Sequence, residues 1–188
     1  MNHDHPSFSF TQSVDARGHD LKTEIIQVSL RLPIDDVDHP FCVVEHEARK
    51  ALGLGEDAKF IVIERVRLIE GNPSAFHRAY LNPSRFPREF LEHDFAAVSL
   101  IDLYHQYGEK LGFRVEARDT VLSARVANLY ETNLLLQRYR SQSTRRVVLD
   151  AQQCLYARDL STQNLFVLEY LQASYFENWK YEIKNRPA

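Results

Sequence analysis

With 188 residues, 44% of them hydrophobic and 26% charged, the chain has the apolar content of one well-buried domain and too much of it for long disorder. A formal net charge of −3 supplies no overall basic field, which excludes broad binding of nucleic-acid phosphates by its own surface. Cys42 and Cys154 form no CxxC pair, the eight histidines show no paired ligand spacing, and no apolar run reaches the roughly 20 residues of a membrane helix. A disulfide framework, a metal site and a membrane span are therefore not expected. The terminus with His3, Asp4 and His5 lacks the pattern of a signal peptide, so a reducing, cytoplasmic setting fits.

Residues 1–7 are polar and expected to fray, and residues 8–17 could form a short helix stopped by Gly18. Residues 21–32 alternate as a strand until Pro33, with Ile26, Val28, Leu30 and Leu32 on one side. After a turn marked by Asp35, Asp36, Asp38 and Pro40, helical spacing of Val43, Val44, Ala48, Ala51 and Leu52 runs to Gly53. Residues 60–68 form the next strand. Glu70, Gly71, Asn72 and Pro73 then signal a turn, and residues 74–81 complete a hairpin. Pro83 and Pro87 frame a loop, and a helix begins near Val98 with Ser99 as N-cap and Gly108 as its expected end. Residues 113–127 alternate, helical spacing returns at Leu129, Leu134, Leu135 and Leu136, and strands follow at 147–153 and 165–176. No internal repeat or dividing linker is visible, which predicts a single α+β domain over residues 1–188 with a mainly antiparallel sheet.

Strand parity gives the hairpin its interest. Ile61, Ile63, Arg65 and Arg67 share one face, opposite Phe60, Val62, Val66 and Leu68, which read as core. Two guanidinium groups two positions apart suit a single phosphate, sulfate or carboxylate held by charge-assisted forks. The competing reading is surface pairing of these arginines with Glu64 or Glu70.

Several short signals recur in a recognisable order: Ala51-Leu52-Gly53-Leu54 closing a helix; Glu64-Arg65-Val66-Arg67; Gly71-Asn72-Pro73; the Ser99-Leu100 helix start with Gly108 eight residues on; and Glu169-Tyr170 followed by Ser174-Tyr175. In this order the sequence resembles the UTRA domain, the effector-binding domain of GntR-type bacterial transcription regulators of the HutC branch, over residues 8–183. The resemblance implies a chorismate lyase-like fold, an antiparallel sheet flanked by helices with a ligand pocket on one side. It places the arginines that hold the effector's anionic part on Arg65 and Arg67, and the C-terminal acid and tyrosine on Glu169 and Tyr175. Ser99 keeps the serine of a Ser-Leu-Tyr motif whose tyrosine is Ile101 here, and His77 stands where the family often has Glu.

The implied ligand is a small anionic metabolite such as a phosphosugar or a small carboxylate, bound without a cofactor. His77 in place of an acid lowers the local negative charge and disfavours an ammonium group. Simpler roles compete: His77 as a satisfied strand residue, Ser99 as a helix cap, Glu169 as an ion-pair partner, Tyr175 as core. The resemblance further implies a homodimer that reaches DNA only through a winged-helix domain, which this chain is expected to lack. The alternative is a lyase on the same fold, with Arg65, Arg67 and Glu169 holding the substrate, although no nucleophile stands beside a base. Direct nucleic-acid contact through Arg138, Arg140, Arg145 and Arg146 is less fitting than a solvated loop.

Overall fold

The computed structural model describes residues 18–139 and 147–176. The expected first helix, the frayed start and Arg140, Arg145 and Arg146 lie outside these. β1 (Leu21–Arg31) leads to α1 (Cys42–Ala51), and the hairpin of β2 (Phe60–Ile69) and β3 (Asn72–Leu81) follows. Two short 3-10 turns connect to α2 (Leu100–Leu111). Then come β4 (Phe113–Val126), α3 (Leu129–Tyr139), β5 (Val147–Asp159) and β6 (Leu165–Tyr175). The strands form one six-stranded sheet in the order β1-β2-β3-β6-β5-β4, antiparallel throughout. The expected α+β class with an antiparallel sheet holds.

The chain order repeats a pattern that the sequence hides. β1-α1-β2-β3 and β4-α3-β5-β6 are two strand-helix-hairpin halves, joined side by side where β3 pairs with β6. Each half alone would leave a bare sheet edge, and the β3–β6 ladder removes both.

Every residue of β2 is buried, so both of its faces meet core. On the back face Phe60, Val62, Tyr80 and Tyr170 pack under Val44, Ala48 and Leu52 around α1, while Val66, Leu68, Phe76 and Val148 meet Leu135 of α3. On the front face Ile61, Ile63, Ala79, Leu81 and Leu171 carry Leu100, Leu103, Tyr104 and Tyr107 of α2, together with Phe86, Phe90 and Phe95 from the segment before it. The expectation that only the Phe60 side is core is thus corrected. Strands buried on both faces read as continuous apolar runs, and the two arginines disguised this one.

Gly108 does not stop its helix. The helix continues to Leu111 and ends on Gly112, whose left-handed φ of 76° suits glycine. Gly108 instead makes room for the chain returning into β4, because a Cβ there would stand 2.5 Å from the Phe113 carbonyl oxygen. Gly108→Ala should therefore destabilise by roughly 1–3 kcal/mol through overpacking, despite alanine's better helix propensity. Urea unfolding measures this, and an unchanged or higher midpoint would contradict the close approach.

Candidate functional site

The register of the sheet brings five of the six sequence-derived site residues onto its front face. Directly opposed residues in an antiparallel ladder share a face, and one row runs Ile25, Arg65, His77, Ala173, Ala151, Leu122 across all six strands. The neighbouring row runs Thr23, Arg67, Ala75, Tyr175, Leu149. Glu169 lies on the same face farther along β6, opposite Leu81. Ala75, Ala79, Ala151 and Ala173 form a floor of small side chains between these polar groups.

Burial is the unusual property of this cluster. Arg65, Arg67, His77 and Glu169 are exposed by only 3%, 6%, 3% and 3%. The surface-pairing reading of the two arginines is excluded, since Glu64 on the back face pairs with Arg78 and Glu70 reaches back to the Asp20 backbone N–H. Arg65 has no acceptor for Nε or Nη1 among the described residues. Arg67 donates through Nη1 to the Thr23 hydroxyl. Burial, and then the adjacent Arg65 guanidinium, pulls Arg67 down to about 9, and burial lowers Arg65 as well, with Glu169 partly restoring it.

Glu169 is held from two sides: the Tyr104 hydroxyl donates to Oε1 at 3.0 Å, and Arg118 Nη2 stands 3.7 Å from Oε2. Burial and the Glu169 carboxylate push the Tyr104 phenol well above its ordinary range, so it remains a donor. Arg118 also donates to the Gln153 side chain at 3.1 Å. His77 packs edge-on against Tyr175, ring centroids 5.9 Å apart. Its imidazole is held well below 6.5 by burial and by Arg67, Arg65 and Arg118, so it is neutral at physiological pH.

Ser99 sits at the N-cap of α2, five residues before Tyr104, with extended backbone and no capping bond from its side chain. The simple cap role therefore does not account for its hydroxyl. Sequence reasoning missed Arg118 and Tyr104. Tyr104 was visible as part of the buried stripe Leu100, Leu103, Tyr104, Tyr107, one turn beyond the position where Ile101 replaces a tyrosine. Arg118 gave no signal, because strand β4 carries many exposed polar residues and its reach across the sheet is a tertiary fact.

Among the described residues no group of three His, Cys, Asp or Glu side chains could hold a metal, and no helix is long and apolar enough to cross a membrane. Arg138, the one described member of the candidate basic cluster, lies 3.5 Å from Glu24.

The family model of the UTRA domain matches residues 16–141. Among solved structures, the effector domain of PhnF from Mycobacterium smegmatis aligns at TM-score 0.68 and 18% identity, over 90% of this chain and 89% of that one. The possible transcriptional regulator YydK from Bacillus subtilis aligns at 0.58 and 19%, over 88% of this chain and 63% of that one. The C-terminal domain of the histidine utilization repressor from Pseudomonas syringae pv. tomato aligns at 0.61 and 12%, over 90% and 99%. The chain spans 64% of full-length PhnF. No curated protein matches the sequence.

The neutral, crowded His77 has a pH consequence. Its folded pKa lies below the ordinary 6.5, so below that pH the unfolded chain takes up a proton that the folded chain refuses. The stability it contributes is complete above pH 6.5 and is lost as pH falls from there toward the folded value, by up to about 1.4 kcal/mol per unit. Urea unfolding at about pH 7.5 and about pH 5.5 should show a fall that is smaller in His77→Asn by about 1 kcal/mol. Equal falls would remove His77 from the account.

Proposed function

The chain belongs to the UTRA domain family, and from that premise we infer that it is the effector-sensing domain of a GntR/HutC-type transcription regulator whose ligand is a small anionic metabolite. The supporting observation is Arg65, almost fully buried with two guanidinium nitrogens that have no acceptor among the described residues. A buried cation without its full complement of acceptors is costly unless an anion completes it. Arg67 on the same strand face and His77 opposite Arg65 support this reading by lying beside that guanidinium. The Ser99 hydroxyl, uncommitted as a cap, and the N–H groups opening α2 offer further donors.

The remaining groups grade the ligand. Glu169 accepts, but Tyr104 and Arg118 already engage it, so it suits a ligand hydroxyl better than a second cation. His77 as a neutral ring accepts or donates one hydrogen bond and repels no phosphate. Tyr175 beside it supplies an aromatic wall. A phosphosugar or a small hydroxylated carboxylate meets this set. The solved relatives carry effector-domain and regulator names, and a sensor rather than a lyase is the reading adopted.

Regulators reading two-fold operators are two-fold themselves, so the domain is proposed to act as a homodimer. DNA would be reached through a separate winged-helix domain, and the net charge of −3 agrees with a sensing part that makes no contacts to the DNA backbone of its own.

The reading is tested by a thermal-shift screen of phosphosugars and small carboxylates, followed by calorimetry on Arg67→Ala. A hit should bind the variant more weakly by about 1.5–3 kcal/mol, the value of hydrogen bonds to a charged group. Unchanged affinity would reject the arginine site. Light scattering should show a dimer, and a stable monomer at micromolar concentration would count against the assembly.

A further inference from the structure

The sheet ends in two edge strands, β1 and β4, and only one of them is protected. An unpaired edge offers a row of backbone donors and acceptors to any extended chain, and proteins blunt it with bulges, lysine, proline or a covering element. β1 carries several of these: a bulge between Ile25 and Gln27, the exposed Lys22, and Glu24 tied to Tyr139 and Arg138 of α3. Pro33 follows its end.

Along β4, every residue from Ala117 to Val126 pairs with β5 without interruption, and the stretch holds neither lysine nor proline. Its two arginines turn inward and meet carboxylates there, Arg118 beside Glu169 and Arg125 with Glu131 and Asp150, so pairing at the edge buries no uncompensated cation. The Arg125 knot lies on the back face and has a counterpart in the first half, where Arg31 grips Glu45 and Glu64 and Arg78 complete the set. The surface around the open edge is apolar: Val121, Leu122, Val126 and Leu129, with Val147 and Leu149 of β5, are 36–73% exposed in one corner. An apolar patch beside an unblunted edge is an interaction surface.

We propose that a second copy of this chain adds its own β4 antiparallel to this edge, about a two-fold axis at Leu122, so that one sheet runs through both copies. The inference rests on the homodimer reading above and gives that dimer its surface. A two-fold axis perpendicular to the sheet keeps front on front, so apposed residues differ by an even number of positions. With Leu122 facing its own copy, Thr120 meets the partner's Ala124 on the front, while on the back Val121 meets the partner's Ser123 and Asp119 the partner's Arg125. Each of these pairs occurs twice. No like charges are opposed, and Asp119 faces a cation, the favoured cross-strand arrangement. Moving the axis one residue either way sets Asp119 against Ser123 or past the end of the strand. Growth stops at two copies, because both outer edges of the joined sheet are then the blunted β1. Arg118, which reaches Glu169, lies on the same strand as the axis, so the sensing cluster and the interface share β4.

A position that faces its own copy has a distinctive signature, and Leu122 is exposed enough for its replacement to leave the fold intact. Sedimentation of the full chain should show a dimer. Leu122→Lys and Leu122→Glu should each weaken it about tenfold or more, because each sets like charges face to face, and an equimolar mixture of the two variants should restore it. Leu30→Lys, at an exposed position on β1, should leave the dimer unchanged. An unaltered chain that stays monomeric at micromolar concentration overturns this surface and the homodimer reading together. A dimer that survives both Leu122 variants, fails to re-form from their mixture, or is lost equally in Leu30→Lys overturns the β4 interface alone and assigns the dimer to another face.

Discussion

Everything distinctive about this molecule depends on the alternation of one hairpin whose two faces are both buried. Along β2 and β3 the cross-strand pair Glu64–Arg78 points backward and the next pair, Arg65–His77, points forward. Side chains of a strand have no other choice. The hairpin thus plants ionic groups on both sides of the sheet centre, where desolvation is expensive. On the back the cost is offset inside the chain by Glu45, Glu64 and the Tyr130 hydroxyl. On the front, among the described residues, Arg65, Arg67 and Arg118 converge near a single carboxylate, Glu169.

The back-face knots also explain how two halves without sequence similarity share a topology. In each half an arginine ends the first strand and a buried glutamate opens the following helix, fixing the helix to the sheet at its first turn. Glu45 and Glu131 are both fully buried. Removing Arg125 would strand the buried Glu131 carboxylate, an effect on the order of 3–5 kcal/mol, whereas Glu45 would keep Arg78 if Arg31 were lost. The repeated element is therefore an electrostatic joint, and periodicity searches over apolar residues do not detect it.

Much of the fold was legible because its strongest signals are local. The Gly71 turn, the alternation of β1 and β6, and the helical spacing around Ala48 and Leu135 each specify their element without help. The front-face site was readable only in part. Arg65 and Arg67 follow from strand parity, and the family resemblance added His77, Ser99, Glu169 and Tyr175. Ser99 was placed correctly at its helix start but not in its bonding, since a capping bond is decided by rotamer and not by residue type. Gly108 was misread because a glycine near a helix end signals a stop unless another chain passes over it, and the passage of Phe113 is a tertiary event. Arg118 and the Arg31–Glu45–Arg78–Glu64 knot were invisible for the same reason: their partners are distant in sequence.

The front face carries buried charge that a purely structural core would avoid. Replacing Arg65 and His77 by aliphatic residues of similar volume would extend the cluster of Ile61, Ile63 and Leu171 without a desolvated charge, and such replacements are often neutral or stabilising. Instead the chain holds small, buried alanines around the polar groups. On the proposed reading the unfavourable charge state would become useful on anion binding, because the same low-dielectric surroundings that penalise an unpaired guanidinium strengthen its pairing. Affinity would then arise partly from relief of a cost already present in the folded state. Ligand occupancy and fold stability would be linked through the same few side chains, as mass action requires when a ligand binds only the folded form.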